Sequence, residues 1–521
     1  MRWPLVSTLM LLAGFVSANA VARLVEDAPL TKLTQVGVVP PIPGSLVWPS
    51  NVALVPRKQG EERIWFIGAS ETVAMPYEPQ GRVSYGNLLG VGLQAGLGRP
   101  DLHVRADGGI ALDSPQLAAF ARKLLEYGDP SAIVLVVGGN EFLNRLPLTA
   151  ALRPDGAVQV ALDFAASTRR IFEAAAQWIE ARDFYPRAAF EAPATNVAGF
   201  DRLVREAAPE RPALRGLPIG DADRELMLGR LEATVRALAA DCERRGVRFL
   251  LALAPHGYGV QAPWCPVQRP APLELPFDLR AALHDDVTAV PGLTLAALDR
   301  AIARWPERAD LRHVRGRFLR ATERPGPARV AFDNALDLDL APLHRTRAVI
   351  ARLDALAREL GHDLLRLGQA FEGASQDEVR RSFLDYAHPT IEGHRRIARW
   401  LAKERLAALL PAPAGQVKTA QGAAVIDERA FDEAVSTITA AVTERSRERA
   451  AGVLQRTVAS YYMCFGNFRE AAVALAEARR VFEAWAARGD ATDEDRDDAK
   501  RAREEHERCL RALDAAREER R

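Results

Sequence analysis

The sequence has few of the residues that form cross-links or metal sites. Among its 521 residues are four cysteines, Cys242, Cys265, Cys464 and Cys509. Their spacing matches no metal-binding signature, and no group of His, Cys and Asp residues has the spacing of metal ligands. A disulfide between Cys242 and Cys265 and a set of buried free thiols are both compatible with these positions. We therefore expect no bound metal.

An excess of one charge is also lacking. The 69 lysines and arginines nearly balance the 68 aspartates and glutamates, so the formal net charge is +1. A nucleic-acid-binding protein needs a concentrated basic face, and this balance predicts none. No glycine loop ends in Lys-Ser or Lys-Thr, and no Gly-x-Gly-x-x-Gly follows the first predicted strand. We therefore expect neither a nucleic-acid partner nor a nucleotide or other cofactor.

Long apolar runs are absent beyond the N-terminus. Arg2 and the apolar run 3–16 are followed by the small residues of 18–20. This pattern predicts a secretory signal at 1–20, followed by an extension at 21–58. An uncleaved anchor is the alternative, because the run can be extended towards membrane-spanning length. Both interpretations predict an exported protein, either periplasmic or extracellular, with membrane attachment by the N-terminal segment in the second.

Short β-rich runs alternate with helical patterns through most of the chain. The predicted strands are 63–67, 103–106, 132–137, 247–253 and 363–367, and examples of predicted helices are 115–127, 225–245 and 390–410. This alternation predicts an α/β domain at 59–410 with a parallel sheet covered on both faces. In such sheets the functional crevice lies beyond the carboxyl ends of the strands.

Two segments instead resemble tetratricopeptide (TPR) helical hairpins. The first is an insertion at about 275–343, with its small and aromatic positions at Gly316, Leu319, Ala328, Phe332 and Ala335. The second lies in an all-α region at 424–521, after a Pro-Ala-Pro-Ala-Gly linker, with matching positions at Ala459, Tyr462, Gly466, Phe468, Ala471, Leu475 and Ala478. Hairpins packed on the α/β domain and a groove that binds a protein partner are both open interpretations.

Candidate chemistry follows two of the predicted strands. Ser70 ends Gly-Ala-Ser after the strand 63–67, where a hydroxyl and a backbone N–H would face the crevice. Asn140 lies in Gly-Gly-Asn-Glu after the strand 132–137, where its amide can donate to a developing negative charge. An ordinary turn or a helix cap is the alternative at each position.

A carboxylate and an imidazole lie just before the last helix of the α/β domain. Asp385 precedes His388 by three residues, so it can fix the tautomer of the ring and stabilise the imidazolium. His388 could then exchange a proton with Ser70. The alternative is that both residues lie at the start of a helix and have no catalytic role. Gly108 and Gly109 follow the second strand, where a backbone N–H can turn into the crevice.

Other residues carry weaker predictions. His256 follows the fourth strand and could line the crevice, whereas His394 is expected to have a capping or surface role. Residues 151–230 receive no assignment, apart from a polar loop near 185–223 that could cover the crevice.

Taken in order, these elements resemble the blocks of the SGNH (GDSL-like) hydrolases, of a subgroup that carries TPR-like helices. Gly-Ala-Ser70 is similar to the first block, Gly109 (or Gly108) to the second, Gly-x-Asn140-Glu to the third and Asp385-x-x-His388 to the fifth. The resemblance implies a three-layer, flavodoxin-like parallel sheet with a helical insertion. It also implies catalysis by Ser70, Asp385 and His388, with an oxyanion hole from Ser70, Gly109 and Asn140.

The functional expectation is an exported serine esterase that forms an acyl-Ser70 intermediate, with a carbohydrate O-deacetylase as one form. Its partner would be an acylated small molecule or carbohydrate. O-acetyltransfer to an envelope polysaccharide and a non-catalytic scaffold that binds partners through the TPR-like helices are the alternatives. Two departures from the family pattern lie beside the serine: Ala69 replaces the usual acidic residue, and Glu71 is large and charged. Glu71 could point to solvent or disfavour an anionic substrate.

Overall fold

The structure is a computed structural model, and it describes most of the chain from residue 57 onward. The described residues are 57, 59–77, 83–109, 112–127, 129–142, 221–259, 262–264, 282, 287–339, 346–410, 426–464 and 468–518. The signal or anchor at 1–20, the extension up to residue 56, the linker at 411–415, Cys265 and Gly466 lie outside these residues. So do residues 151–220, which include most of the proposed covering loop. Predictions for all of these segments stay predictions.

The centre of the molecule is a five-stranded sheet in which every pairing is parallel. Its strands are β1 Glu62–Gly68, β2 Leu102–Gly108, β3 Ala132–Val137, β4 Arg248–Leu253 and β5 Leu365–Arg366. Their order in the sheet is β2-β1-β3-β4-β5. Each of these strands overlaps one predicted strand, so the α/β class and the parallel sheet are confirmed. At the edge of the sheet, β5 pairs with β4 through two of its residues, Leu365 with Ala252 and Arg366 with Leu253.

Helices lie between and after the strands in the part of the chain that the structure describes. In chain order the described ones are α1 Tyr85–Leu97, α2 Ser114–Tyr127, α3 Asp221–Arg244, α4 Leu295–Arg304, α5 Ala309–Ala321, α6 Pro325–Leu338, α7 Arg347–Glu359, α8 Gln376–Ser382, α9 Ile391–Glu404, α10 Leu406–Leu409, α11 Glu428–Ala440, α12 Glu444–Cys464, α13 Phe468–Ala486 and α14 Asp493–Glu518. The helix predicted at 390–410 is confirmed over most of its length. It is interrupted at Arg405, whose φ of −128° leaves the helical region.

Both faces of the sheet are buried. Ile64 and Phe66 of β1 enter a core with α1 and α9, whereas Trp65 and Ile67 enter a second core with α2, α3 and α7. Alternate side chains of a strand point to opposite faces, so one continuous apolar strand supplies both cores. Cys242 of α3 lies in the second core as a buried free thiol, and burial raises its pKa to about 12.

The C-terminal helices are not a separate layer. Phe431 of α11 belongs to the same core as β1 and α1. Its ring lies where a Cβ on Gly92 would be 2.3 Å away, so glycine in α1 permits this close approach. Helices α12, α13 and α14 then pack on one another in sequence. Among the described residues, none of the helices is both long enough and apolar enough to cross a membrane.

The insertion contains the helical hairpin that its pattern indicated. Helix α5 packs against α6, and Leu319, Ala328 and Phe332 form a small core there. A Cβ on Gly316 would lie 2.5 Å from the Phe332 ring, which explains the glycine at this crossing. Tyr258, from the loop after β4, packs against the same core. The hairpin therefore holds a loop at the carboxyl edge of the sheet.

Candidate active site

A cleft lies beyond the carboxyl ends of β1, β3 and β4. Its empty volume is about 350 Å³, including the part that opens to solvent. The residues that line it are Ser70, Glu71, Gly138, Gly139, Asn140, Ala254, Pro255, His256, Tyr386, Ala387 and His388. They come from the loops after these three strands and from the loop before α9. This is where ligands bind in parallel α/β sheets.

Ser70 sits in a tight turn that follows β1. Thr72 N–H donates to Ala69 O at 2.9 Å, and Met75 N–H donates to Ser70 O at 2.9 Å. Gly68 is required at the entry, because a Cβ there would lie 2.0 Å from Thr72 Oγ1. Turns extend over residues 69–77, and the next helix among the described residues, α1, begins at Tyr85.

The structure brings Ser70, His388 and Asp385 into one hydrogen-bonded chain. His388 Nε2 is 2.8 Å from Ser70 Oγ, although the two residues are 318 positions apart. His388 Nδ1 is 2.8 Å from Asp385 Oδ2. An ionised carboxylate only accepts, so Nδ1 carries the proton and Nε2 can accept from the Ser70 hydroxyl. All three residues are buried, with 4 to 8% of their surface exposed.

The electrostatics favour a charged pair when His388 takes up a proton. Burial disfavours the imidazolium, but the Asp385 charge and hydrogen bond, with a contribution from Glu71, raise the pKa of His388 above 6.5. Burial likewise opposes ionisation of Asp385. The charge of His388, together with hydrogen bonds from its side chain and backbone and from Ala387, nevertheless lowers the pKa of this carboxyl. Asp385 is therefore a carboxylate poised to stabilise the imidazolium.

Local hydrogen bonds hold the loop that carries Asp385 and His388. The backbone N–H groups of Ala387 and His388 each donate to Asp385 Oδ1 at 2.7 Å. Leu384 N–H donates to His388 O at 2.8 Å, which closes the loop. Thr390 then caps α9 by accepting from Gly393 N–H at 3.2 Å. The spacing between Asp385 and His388 is thus fixed by the loop's own backbone.

Asn140 reaches the same cleft from the turn after β3. Gly138 has a φ of +93°, a conformation that glycine adopts without strain. Its N–H donates to Glu141 Oε1 at 3.1 Å, and Ser114 Oγ donates to Glu141 Oε2 at 2.7 Å. Asn140 Nδ2 donates one hydrogen to Leu112 O at 3.2 Å. Its second amide hydrogen can serve a ligand in the cleft.

Glu141 is itself an unusual carboxyl group. Burial raises its pKa to about 7, and the nearby Asp113 charge adds to this, while the hydrogen bonds from Ser114 and Gly138 oppose it. The turn that carries Asn140 is therefore braced by a group that titrates near neutral pH.

Gly108, the last residue of β2, and Gly109 do not join the other site residues. Gly109 N–H donates to Gly68 O at 3.3 Å, and Gly108 N–H lies 3.0 Å from Asp107 Oδ1. Neither glycine is among the residues that line the cleft. Of the three oxyanion donors that the family resemblance implies, Ser70 and Asn140 line the cleft, and the N–H of Gly109 is engaged elsewhere.

Three further side chains line the cleft. His256 lines it as expected, and its ring lies 6.0 Å from that of Tyr386, centroid to centroid. Glu71 is buried, and burial raises the pKa of its carboxyl, while the charge of His388 opposes this. Tyr386 was missed, because the spacer between Asp385 and His388 carries no sequence signal for a role.

His394 does not have the surface position that was one of its two predicted roles. Its side chain is fully buried, and Nδ1 accepts from the backbone N–H of Tyr85 at 3.2 Å. Because Tyr85 is the first residue of α1, the ring caps that helix rather than its own. Burial lowers the pKa of His394 to about 3, so it is neutral at physiological pH.

Among the described residues, no group of His, Cys, Asp and Glu is arranged to hold a metal ion. Comparisons of this chain with protein-family models, with curated proteins and with solved structures found no match.

Proposed function

We propose that this chain is an exported serine esterase of the SGNH type that forms an acyl-Ser70 intermediate. The observation that carries the proposal is the hydrogen-bonded chain from Ser70 Oγ through His388 to Asp385, buried at the rim of a cleft. Three side chains with these roles, each within 3 Å of the next, match the geometric criterion for an activated nucleophile.

In the proposed reaction, Ser70 Oγ attacks the ester carbonyl carbon while its proton passes to His388 Nε2. The carbonyl oxygen becomes an oxyanion, which accepts hydrogen bonds from the backbone N–H of Ser70 and the side-chain amide of Asn140. Collapse of the intermediate expels the alcohol, which takes the proton from His388. Water then attacks the acyl-Ser70 ester by the same steps and releases the acid.

The fold supports the family assignment. The order β2-β1-β3-β4-β5 is that of flavodoxin-like doubly wound sheets, with the reversal of strand order between β1 and β3. Ser70 follows β1 and Asn140 follows β3, so both lie at the switch point. The engaged N–H of Gly109 departs from the family's oxyanion hole. The proposal therefore rests on two donors.

The cleft favours a short, uncharged acyl group on a hydroxyl-rich carrier. None of the described residues that line it is a lysine or arginine that could pair with an anionic acyl group. The carboxyl of Glu71 can accept from sugar hydroxyls, and the rings of His256 and Tyr386 offer apolar surface. A carbohydrate O-deacetylase fits these features, and O-acetyltransfer would use the same groups with a sugar hydroxyl in place of water.

The decisive experiment is hydrolysis of 4-nitrophenyl acetate by the purified chain beside Ser70→Ala, His388→Ala and Asp385→Asn. We expect Ser70→Ala and His388→Ala to lose at least about 10³-fold in kcat with unchanged thermal melting. A fluorophosphonate should label Ser70 in the wild type and not in Ser70→Ala. Failure of this label, together with no esterase activity, would rule out the serine mechanism.

A further inference from the structure

Tyr386, between Asp385 and His388, links the catalytic loop to the C-terminal helices. Its ring packs edge-on against Trp264, with centroids 5.6 Å apart and an interplanar angle of 88°. Trp264 in turn packs against Tyr462 of α12, with centroids 4.6 Å apart. Trp264 is fully buried, and Tyr462 and Tyr386 are nearly so. The three rings form a continuous stack of edge-on and tilted contacts from α12 to the residue two positions before His388.

Hydrogen bonds fix both ends of this stack. Tyr462 Oη donates to Ala262 O at 3.1 Å, and the backbone N–H of Trp264 donates to Asp339 Oδ2 at 2.7 Å. At the loop end, Gly257 N–H donates to Tyr386 O at 2.7 Å. The partners in these hydrogen bonds are Gly257 and Ala262, which both follow β4, and Asp339, which is fully buried just after α6. Such a stack has little freedom to shift.

The C-terminal hairpin also contributes the apolar surroundings of the stack. Trp264, Tyr386 and Tyr462 share one buried cluster with α13, through Phe468, Ala471 and Leu475, and with α14, through Cys509. Ala387, the next residue before His388, packs against the same cluster. The side of the catalytic loop that carries Tyr386 and Ala387 is therefore formed by helices far along the chain.

We propose that Tyr462, Trp264 and Tyr386 are positioning residues that hold His388 at hydrogen-bonding distance from Ser70. The C-terminal hairpin of α12 and α13 is then a working part of the active site rather than an appended module. This inference rests on the proposed serine chemistry. Its physical basis is that a displacement of a catalytic group by about 1 Å can lower the rate by about 10²-fold.

The test compares Tyr462→Leu with Phe482→Leu. Phe482 is a buried aromatic residue of the same hairpin, but it packs with Ala478, Ala499 and Ala502, away from the catalytic loop. Both changes remove one buried ring, so both should lower the melting temperature. At a temperature where both variants are folded, the fluorophosphonate labelling rate of Ser70 and kcat and KM for the aryl acetate are measured.

We expect Tyr462→Leu to lower the labelling rate and kcat by about 10- to 100-fold, with a much smaller change in KM. Phe482→Leu should stay within about twofold of the wild type. Tyr462→Phe keeps the ring and should restore most of the activity. A difference in activity between Tyr462→Leu and Phe482→Leu would indicate a positioning role, because a general loss of stability would lower the activity of both variants alike.

Equal activity of Tyr462→Leu and Phe482→Leu would overturn the proposal, as would a wild-type labelling rate in Tyr462→Leu. If Tyr462→Leu does not fold, Trp264→Phe tests the same stack from its middle, and an unchanged labelling rate there would again overturn it. Absence of labelling in the wild type is a different failure. It would remove the serine mechanism, and the positioning role with it.

Discussion

At the scale of single residues, the imidazole of His388 is influenced by two carboxyl groups. Asp385 bonds Nδ1, and Glu71 also acts on the ring electrostatically from its place beside Ser70. Both carboxyl groups favour the imidazolium and oppose the effect of burial. Glu71 therefore affects the pH at which the imidazole of His388 loses its proton.

Glu71→Gln should extend activity to lower pH. Without the Glu71 charge the pKa of His388 falls, so the neutral ring needed for attack persists further into acid. The measurement is the pH profile of kcat/KM, whose acid limb should move to lower pH. Glu243→Gln, at an exposed position on α3, is the matched control and should leave the limb in place. An unmoved limb in Glu71→Gln would show that this carboxyl does not act on the ring.

Asn140→Ala should lower kcat by about 10²- to 10³-fold with little change in KM. The loss is expected because the substitution removes a hydrogen-bond donor that would act on the oxyanion rather than on the bound ester. Steady-state kinetics with the aryl acetate measure it, and Asn334→Ala on α6 provides the control. A kcat within twofold of the wild type would mean that Asn140 only shapes the turn.

At the scale of elements, the turn after β3 depends on Glu141. Its two carboxyl oxygens accept from Gly138 N–H and Ser114 Oγ, so they tie the turn to the start of α2. Because burial raises the pKa of Glu141 from 4.5 to about 7, the folded protein holds this proton more tightly than the unfolded chain does. The associated stability is complete below pH 4.5 and is lost as the pH rises through about 7.

Glu141→Gln should remove this part of the pH dependence. The amide keeps an acceptor for Gly138 N–H and gains no charge, so the free energy of unfolding should fall less between pH 5 and pH 8 than in the wild type. Denaturant titrations across this range measure the difference, with Glu243→Gln as the control. Parallel curves for wild type and Glu141→Gln would contradict the raised pKa.

The elements that were predictable are those with a local signal. Strand β3 is a short apolar run, and its burial on both faces explains why its sequence does not alternate. The loop from Asp385 to His388 was also recognisable, because its geometry arises within four residues. The glycines of α1 weaken the sequence signal for that helix, because glycine has a low helix propensity. They permit close contacts with β2 and with Phe431 instead.

Long-range contacts were beyond reach of the sequence. Nothing in the residues near Trp264 indicates that it meets Tyr386 and Tyr462, because a ring stack across such separations depends on the complete fold. The direction of the Gly109 N–H was equally hidden, since it follows from how β2 approaches β1. The sequence motifs therefore predicted candidate side chains for the site, but not the residues that contact them in the fold.

At the scale of the whole molecule, both helical hairpins contact segments that lead to the cleft. Arg320 of α5 donates to Tyr258 O and Gly259 O at 3.2 and 3.3 Å, which secures the wall that contains His256. Tyr462 of α12 contacts Trp264, whose ring packs against Tyr386 in the cleft lining. Tight packing of this kind supports the interpretation of hairpins docked on the α/β domain, rather than hairpins that form an open groove.

Phe431→Ala should destabilise the whole molecule, not a C-terminal part alone. Removing this ring from the core shared with β1 should cost about 3–5 kcal/mol, and unfolding should remain one transition. Denaturant unfolding followed by both fluorescence and far-UV circular dichroism tests this. Val473→Ala, which alters an exposed side chain on α13, should stay within about 0.5 kcal/mol. Two separated transitions would indicate an independent C-terminal domain.

The place of Phe431 in the core has a consequence for the order in which the molecule can mature. During synthesis the sheet and α1 emerge first, with the surface around Gly92 and Gly96 still uncovered. That surface stays open until α11 has been made, and a nascent chain with exposed apolar area is prone to aggregate. Tyr462 follows later still. If Tyr462 has the positioning role proposed above, the loop from Asp385 to His388 gains its last support only after α12 has been made.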